Sequence, residues 1–450
     1  MNINEKLKSL NDHDAISLHV PGHHNHTIGY LDEINLAMDM TEITGLDDLH
    51  QPESCIKMSM SELNRYPGYY GQYLVNGTTV GILSAIYAVA HLEGEVLIPR
   101  NAHKSVFNAL NLTKQDAKFM PMTISDKTNQ YNGVASLRDL DLNHIKLAVF
   151  TYPNYYGETF DIEEIIKILK EHQIPVLVDE AHGAHFGMSS NFPKSSMTYG
   201  ADIVVQSYHK TLPALTMGSV LYMREDLEIK ANIQQYLKML QTSSPSYLIM
   251  ASLESAEKFY KQYDDDEKFR CNRQTFIETM ENVGFEVGSL EDPLKLIVSY
   301  RGLSGFEIQK LFEDVHIYVE LCDYKFVLLV LPLWHESDKF PFEDMIDRVK
   351  NIKVNVKHQL KEEVQFKLPY ETDSTMYKYS DIEKTKMMDL NTSYGYIAAE
   401  DIVPYPPGIP VILKGENIRK EIVDSLLQWI DRGGRVEGIL NKQIKVKDEQ

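Results

Sequence analysis

The sequence predicts an α/β protein: a large domain with a mainly parallel sheet, a smaller α+β domain and a C-terminal domain. Three observations predict it. Between about residues 76 and 223, short apolar, β-branched runs alternate with helical patterns, as in a sheet covered on both faces. Several of those runs end in polar residues, as a buried strand does where it opens into a site. After about residue 290 the order changes to strand, helix, strand, strand, which marks a separate small unit.

The elements follow in order. TTVGILSAIYAVAHL (78–92) reads as a buried helix and GEVLIPR (94–100) as a strand. AKFMPM, IKLAVFTY, IPVLVDEA, ADIVVQS and GSVLYM continue as short strands. Asp161 with Glu164 three residues on forms a capping-box pattern ahead of a helix through IEEIIKILKEH. A long helix is expected over 246–263. LKLIVSY, GFEIQKLFED, HIYVELCD and FVLLVLPL then give strand, helix, strand, strand, closed by an amphipathic helix around 340–362. A charged stretch at 358–387 is a candidate linker. In VPYPPGIPVILKGE the prolines exclude a central strand or helix, and a helix is expected at about 416–432. The boundaries drawn from this are an N-terminal segment 1–75, a large domain 76–290, a small α+β domain 291–365 and a C-terminal domain 366–450.

Composition narrows the function classes. The chain has 450 residues, enough for two or three domains, and 43% of them are apolar, which is ordinary for a well-cored protein. Its formal net charge of −20 argues against a nucleic-acid surface, which needs a basic patch. The three cysteines, Cys55, Cys271 and Cys322, form no CxxC pair, so a disulfide framework or zinc site is not expected. The N-terminus has no apolar signal core, and no run approaches the ~18 apolar residues of a membrane span. A cytoplasmic protein is expected. His19, His23, His24 and His26 cluster without a neighbouring carboxylate or cysteine at ligand spacing, so a metal is not expected there.

The chemistry concentrates on Asp179, at the end of IPVLVDEAHGAH, and Lys210, in QSYHKT. Each follows a buried strand. An acid and a lysine so placed are the minimum apparatus for pyridoxal 5′-phosphate (PLP): the lysine forms a Schiff base, and the carboxylate keeps the pyridine nitrogen protonated. Ser207 and His209 flank the lysine. NGTTVG (76–81) precedes the first strong helix, so Gly77, Thr78 and Thr79 offer amides and hydroxyls at a helix start, suited to a phosphate. His103, in RNAHKS after the next strand, is a candidate to stack on the cofactor ring. TYPNYYGE (151–158) is a further strand end where site loops gather. VDEAH mimics a helicase-type DEAH box, but no GxxxxGK[ST] loop accompanies it, which excludes that reading.

Taken in order, PGH (21–23), TGLDDLHQPE (44–53), NGTTVGIL, RNAHKS, VDEAHGAHFG, SYHKTLPALT and PYPPGIPVILKGE resemble the prokaryotic ornithine/lysine/arginine decarboxylases. The resemblance implies a PLP-dependent, aminotransferase-like large domain of fold type I and at least a homodimer with shared active sites, to which segment 1–75 contributes. It implies Lys210 as the Schiff-base lysine, Asp179 on the pyridine nitrogen and His103 on the ring. Ala181 and His182 lie at the ring's other face or edge, and Thr78, Thr79, Ser207 and His209 lie around the phosphate and lysine. Thr242 and Ser243, in QTSSPSY, match a loop that reaches a neighbouring subunit's phosphate site. Tyr405 and Glu416 match the substrate end, with Glu416 expected to meet the substrate's far cation. His23 is expected with them at the substrate end; it belongs to the PGH loop, which departs from the family: the usual PGHK and glycine become PGHHNH. Tyr208 replaces the usual small residue before His-Lys. The chain resembles the family's short form, expected as a dimer or tetramer.

The expected activity is decarboxylation of arginine, lysine or ornithine to the amine and CO2, in polyamine metabolism. Lys210 or His209 would return the proton to Cα. Two alternatives stay open at this point: another fold type I enzyme such as an aminotransferase, and a PLP-binding protein without turnover.

Overall fold

The structure is a computed structural model that describes residues 2–11, 14–354, 376–405 and 408–448. Positions 355–362 of the helix expected around 340–362, most of the candidate linker and the boundary drawn at 365/366 lie outside the described residues.

The large sheet contains β1 (Tyr69–Leu74), β2 (Glu95–Ile98), β3 (Ala117–Phe119), β4 (Ile145–Thr151), β5 (Val176–Asp179), β6 (Ile203–Gln206) and β7 (Ser219–Arg224). Its order is β3-β2-β4-β5-β6-β7-β1, with the short strand Met376–Tyr377 added outside β3. Strands β2 to β6 run parallel, whereas β7 is antiparallel to both β6 and β1. β4, β5 and β6 are almost wholly buried, which is why they read as mostly apolar runs, interrupted in β4 only by the partly exposed Lys146 and closed by polar residues. β1 is not evident in the sequence, because YYGQYL lacks such a run. It forms because β7 offers it an open edge, with Leu74 opposite Ser219 and Tyr69 opposite Arg224.

Helix α1 (Gly77–Ala88) is apolar nearly all round because it lies inside the protein, against β1, β6 and β7. Gly81 permits that approach: a Cβ there would lie 2.8 Å from a Val205 methyl. Helix α2 (Lys104–Thr113) follows β2, and α3 (Ile162–Glu171) follows β4. Asp161 caps α3, its side chain accepting the Glu164 amide. A single turn, α4 (Tyr208–Thr211), carries Lys210 directly after β6. Helices α5 (Tyr247–Gln262) and α6 (Asp266–Val283) lead out of the large sheet.

The small sheet is antiparallel, with order β8 (Glu286–Ser289), β9 (Lys295–Ser299), β11 (Val327–Val330), β10 (Leu321–Cys322). Helix α7 (Gly305–Glu313) starts with a full capping box between Ser304 and Glu307. Helix α8 (Phe342–Lys350) is shorter than the expected 340–362: it closes at Asn351, whose amide donates to the Arg348 and Val349 carbonyls, and 352–354 leave the helix. Ile16–Leu18 pairs in parallel with Ile317–Val319, so the N-terminal segment is stitched to this unit. In the following TGLDDLHQPE segment, the buried Asp47 carboxylate accepts amides of Asp48, Glu53, Ser54 and Ile56 at 2.8–3.0 Å. That aspartate organises its loop. The C-terminal part has its own apolar cluster, with Leu390, Ile402, Ile412, Leu426 and Val446 at its centre, and helix α9 (Lys420–Asp431) covers it. Among the described residues, no helix is long and apolar enough to cross a membrane.

Tyr208 faces away from Lys210 into a buried polar knot. Its hydroxyl lies 2.7 Å from that of Tyr222 and donates to Glu257 at 2.8 Å. Glu257 in turn takes Arg65 through Nε and a second guanidinium nitrogen, and Arg65 lies 3.4 Å from the centre of the Tyr260 ring. The knot ties α5 to the strand pair β6–β7 beneath the lysine turn. Glu257→Ala is expected to destabilise the fold by about 3–5 kcal/mol, since Arg65 would remain buried without a partner. Tyr208→Phe should cost about 1–3 kcal/mol. Urea unfolding of both variants checks this, and equal midpoints with the wild type would remove the knot from the account.

Candidate active site

The parallel register puts the chemistry at one edge of the sheet. Asp179 ends β5 opposite Thr151 of β4 and Val205 of β6, so the loops after these strands open at the same level. Lys210 sits one turn beyond β6, and its amine lies 3.0 Å from His182 Nε2. Burial lowers the Lys210 pKa, while Asp179 and Glu320 act in the opposite direction. Burial raises that of Asp179, which Lys210 and the Ala181 amide oppose. Among the described residues, the Asp179 carboxylate accepts one hydrogen bond, from the Ala181 amide at 3.2 Å.

His103 caps α2, with its Nδ1 2.9 Å from Ser105 Oγ. Burial, then the charges of Lys210 and Lys104, holds it down at about 3. His182 is held well below its ordinary value by burial, then by Lys210 and Lys295, with His103 and His209 adding to them. The Tyr155 ring lies 4.5 Å from the His182 ring.

On the phosphate side, Ser207 Oγ donates to Thr78 Oγ1 at 3.2 Å, which joins the lysine segment to the first turn of α1. Gly77 adopts a φ of +75° and faces open space where a Cβ would stand. Thr79 lies exposed in the same turn. His209 is turned to the chain: its Nδ1 donates to the Gly218 carbonyl at 3.0 Å, and burial lowers its pKa to about 4. The Thr242 amide donates to Asn76 Oδ1 of the same chain at 3.2 Å, and both Thr242 and Ser243 are exposed.

Gly22 explains the PGH segment. Its amide donates to the His209 carbonyl at 2.8 Å, and a Cβ on it would meet Thr211 and Leu212 backbone at 2.8 Å. The N-terminal loop therefore lies directly on the lysine turn. His23 is half-buried in this loop, with Nδ1 accepting the His26 amide at 3.1 Å. His24, Asn25 and His26 all have positive φ, from 42° to 64°. Asparagine tolerates that conformation and histidine does so less commonly.

Glu416 is already engaged. Its Oε2 accepts the Leu413 amide at 2.8 Å and Arg100 at 3.3 Å, and Arg100 also donates to the Pro410 carbonyl at 2.7 Å. This differs from the expectation of a carboxylate waiting for the substrate's cation: Arg100, at the end of β2, reaches it first. The tail lies against the α2 start, where the Lys104 amide donates to the Gly408 carbonyl at 3.3 Å. Tyr405 ends a short strand paired with Arg435–Glu437.

Three residues were missed in the sequence reading. Lys295 opens β9 and is fully buried, with Nζ 3.2 Å from His182 Nδ1. Glu320 accepts the Tyr155 hydroxyl and the Val20 amide. Tyr155 itself lay inside the quoted TYPNYYGE run. Lys295 and Glu320 stand in apolar strand segments of the small unit, and only the fold brings them to β4 and β5.

The set suits PLP. Asp179 is a buried carboxylate that accepts one hydrogen bond among the described residues, so its remaining lone pairs suit a cationic N–H donor. The start of α1 and the joined hydroxyls of Thr78 and Ser207 suit a phosphate, and a half-buried amine follows the next strand.

Comparisons with known proteins agree. Residues 3–286 match the major domain of the Orn/Lys/Arg decarboxylases and residues 358–436 match their C-terminal domain. The chain belongs to the Orn/Lys/Arg decarboxylase family. An arginine decarboxylase of Bacillus subtilis is 30% identical over 96% of this chain and 94% of its own length. A second Bacillus subtilis protein, described as uncharacterized protein YaaO, is 36% identical over the same shares. A lysine decarboxylase of Francisella novicida superposes with a TM-score of 0.72 at 17% identity, over 93% of this chain and 76% of that one. The constitutive lysine decarboxylase of E. coli gives 0.70 at 16%, over 91% and 75%. The fold is the PLP-dependent fold type I, and the protein is a PLP-dependent decarboxylase of a basic amino acid.

The buried histidines make a pH prediction. His103 and His24 are held at about 3 and His209 at about 4, against 6.5 in the unfolded chain, chiefly by burial. Between those values the unfolded chain binds more protons than the folded one, so stability falls as pH drops through the window. The urea midpoint should decline from about pH 6.5 downward, and His24→Gln, outside the site, should flatten the decline. A wild-type midpoint constant down to about pH 4 would contradict it.

Proposed function

We propose that this decarboxylase acts on arginine, releasing CO2 and agmatine. Arginine decarboxylases of Bacillus and Halalkalibacterium, 27–30% identical over 90–96% of this chain, support that choice. The observation that carries the site reading is the pairing of a buried Asp179 at one parallel strand end with a half-buried Lys210 one turn beyond the neighbouring one.

The roles follow from position. Lys210 anchors PLP, and its lowered pKa keeps a share of the amine neutral and nucleophilic. Asp179 takes the pyridine N–H, and neutral His103 packs against the ring. Thr78, Thr79 and Ser207 hold the phosphate together with the α1 amides. PLP when bound supplies an electron sink for the carbanion left by departing CO2. Burial of the site excludes water and strengthens the Asp179 contact. Lys210, with its amine next to His182, returns the proton to Cα. His209, whose Nδ1 is bound to Gly218, orients the lysine turn. Glu416 holds the tail against the Arg100–Lys104 turn. His23 closes the loop behind that lysine turn, and Tyr405 contributes from the tail. Thr242 and Ser243, exposed beside the phosphate turn, support a homodimer with a shared site. A cytoplasmic location suits a chain with no exposed disulfide framework and three free thiols.

A panel of arginine, lysine and ornithine with CO2 release as the readout tests the substrate. Arginine should give the highest kcat/KM, and a preference for lysine or ornithine overturns the choice. Lys210→Ala should abolish both CO2 release and the protein's visible absorbance with added PLP. Asp179→Asn should lower kcat by about 10- to 100-fold, the equivalent of one charge-assisted hydrogen bond of about 1.5–3 kcal/mol. Near-normal turnover would remove that role.

A further inference from the structure

A second buried lysine stands behind the first. Lys295 is fully inaccessible, and its amine donates to the Tyr155 carbonyl at 2.6 Å and lies 3.2 Å from His182 Nδ1. His182 Nε2 lies 3.0 Å from Lys210 Nζ. One imidazole thus bridges two lysine amines in a continuous line. The space for this is built. Gly157 has a φ of +94°, and a Cβ there would stand 3.0 Å from Lys295 Cδ and 2.9 Å from Asp292 Cβ. Lys295 has no carboxylate within ion-pair distance among the described residues. Asp292 is 2.9 Å from His185 Nε2, and Glu320 is held by Tyr155 and Val20.

The chemistry of the bridge restricts its protons. A neutral imidazole has one N–H and one lone pair. Burial and both lysines keep His182 neutral. Two ammonium groups cannot both donate to it, because only one ring nitrogen accepts. One lysine must therefore be the neutral acceptor. Lys295 has the better place for a charge, with a carbonyl at 2.6 Å and the carboxylates of Asp292 and Glu320 acting on it. Burial still lowers it to about 8, so its proton is exchangeable near neutral pH.

We propose that Lys295 is a positioning residue for the decarboxylation: its ammonium donates to the bare Nδ1 of His182, so that Nε2–H points at Lys210 and keeps that amine neutral. It also serves as the proton reserve of the lysine. In the transfer, a Lys295 N–H bond breaks as an Nδ1–H bond forms, and the Nε2–H bond breaks as a Lys210 N–H bond forms. Lys295 ends neutral, Lys210 ends as the ammonium, the ring stays neutral, and one positive charge has moved. The groups facing the line are Asp179 and His209 on the large-sheet side, His103 beside the ring, Tyr155 after β4, Asp292 before β9, and Glu320 after the Ile317–Val319 strand. The proposal rests on the reading of Lys210 as the PLP lysine, but its first two tests do not need turnover.

Nitrogen NMR of the full-length protein, freed of PLP, reports the His182 tautomer directly. The Nε2–H form is expected, and an Nδ1–H form overturns the proposal without any Lys295 variant. Competitive acetylation of the same protein, read on the Lys210 peptide against pH, follows the lysine amine. Lys295→Met should shift the Lys210 midpoint upward by about one pH unit, because the ring is then free to accept from a Lys210 ammonium. An unmoved midpoint in a folded Lys295→Met protein overturns it. In the PLP-loaded enzyme, Lys295→Met should lower kcat by about 10- to 100-fold with KM within about twofold. A change confined to KM would make Lys295 a substrate-binding group and overturn the positioning role. If wild-type protein releases no CO2 while the tautomer and midpoint behave as stated, the reading of the reaction fails and the relay stands.

Discussion

The site depends on the register of three parallel strands. Because Thr151, Asp179 and Val205 lie opposite one another, the loops of β4, β5 and β6 all open at one level. A one-residue slip in any of these strands would turn its side chains to the opposite face. Asp179 would then point into a helix layer and Lys210 would no longer share its space. The apolar residues that bury both faces of these strands supply the hydrophobic term that holds the register.

Around that edge the protein keeps an unusual number of ionisable groups out of water. Burial shifts them away from their charged forms, and the shifts are opposed by neighbours: Lys210 against Asp179, Lys295 against Asp292 and Glu320. A group with a pKa moved by both burial and a specific partner, in a cleft, is the usual mark of a functional site. The knot of Arg65, Glu257, Tyr208 and Tyr222 is chemically similar but has a different consequence. Its charges are matched inside the chain, and it braces the lysine turn from behind.

Much of this was legible along the chain. Asp179, Lys210, His103, His182, Ser207 and the Gly77–Thr79 turn each follow a strand or start a helix. Local pattern therefore locates them, and the fold gathers them at one edge. Tyr208 was legible only as a departure, since its partners come from α5, β7 and the segment before β1. Glu416 was expected at the substrate end from the tail motif alone; Arg100, from the end of β2, reaches it only in space. Lys295 and Glu320 gave no signal, since a lone lysine or glutamate bordering an apolar strand is ordinary.

The sequence by itself determined the α/β order, the buried parallel strands, the acid and the lysine that follow two of them, and the family through seven ordered motifs. These are local properties: apolar period, strand ends, and residue types at helix starts. Only the tertiary structure decided that β7 runs antiparallel and recruits β1, that Gly22 lies against the lysine turn, that Glu416 belongs to Arg100, and that Lys295 reaches Lys210 through His182. Each of these is a contact between residues distant in sequence. Their energies depend on burial and on which charge arrives as partner, and neither is written in a local stretch of chain.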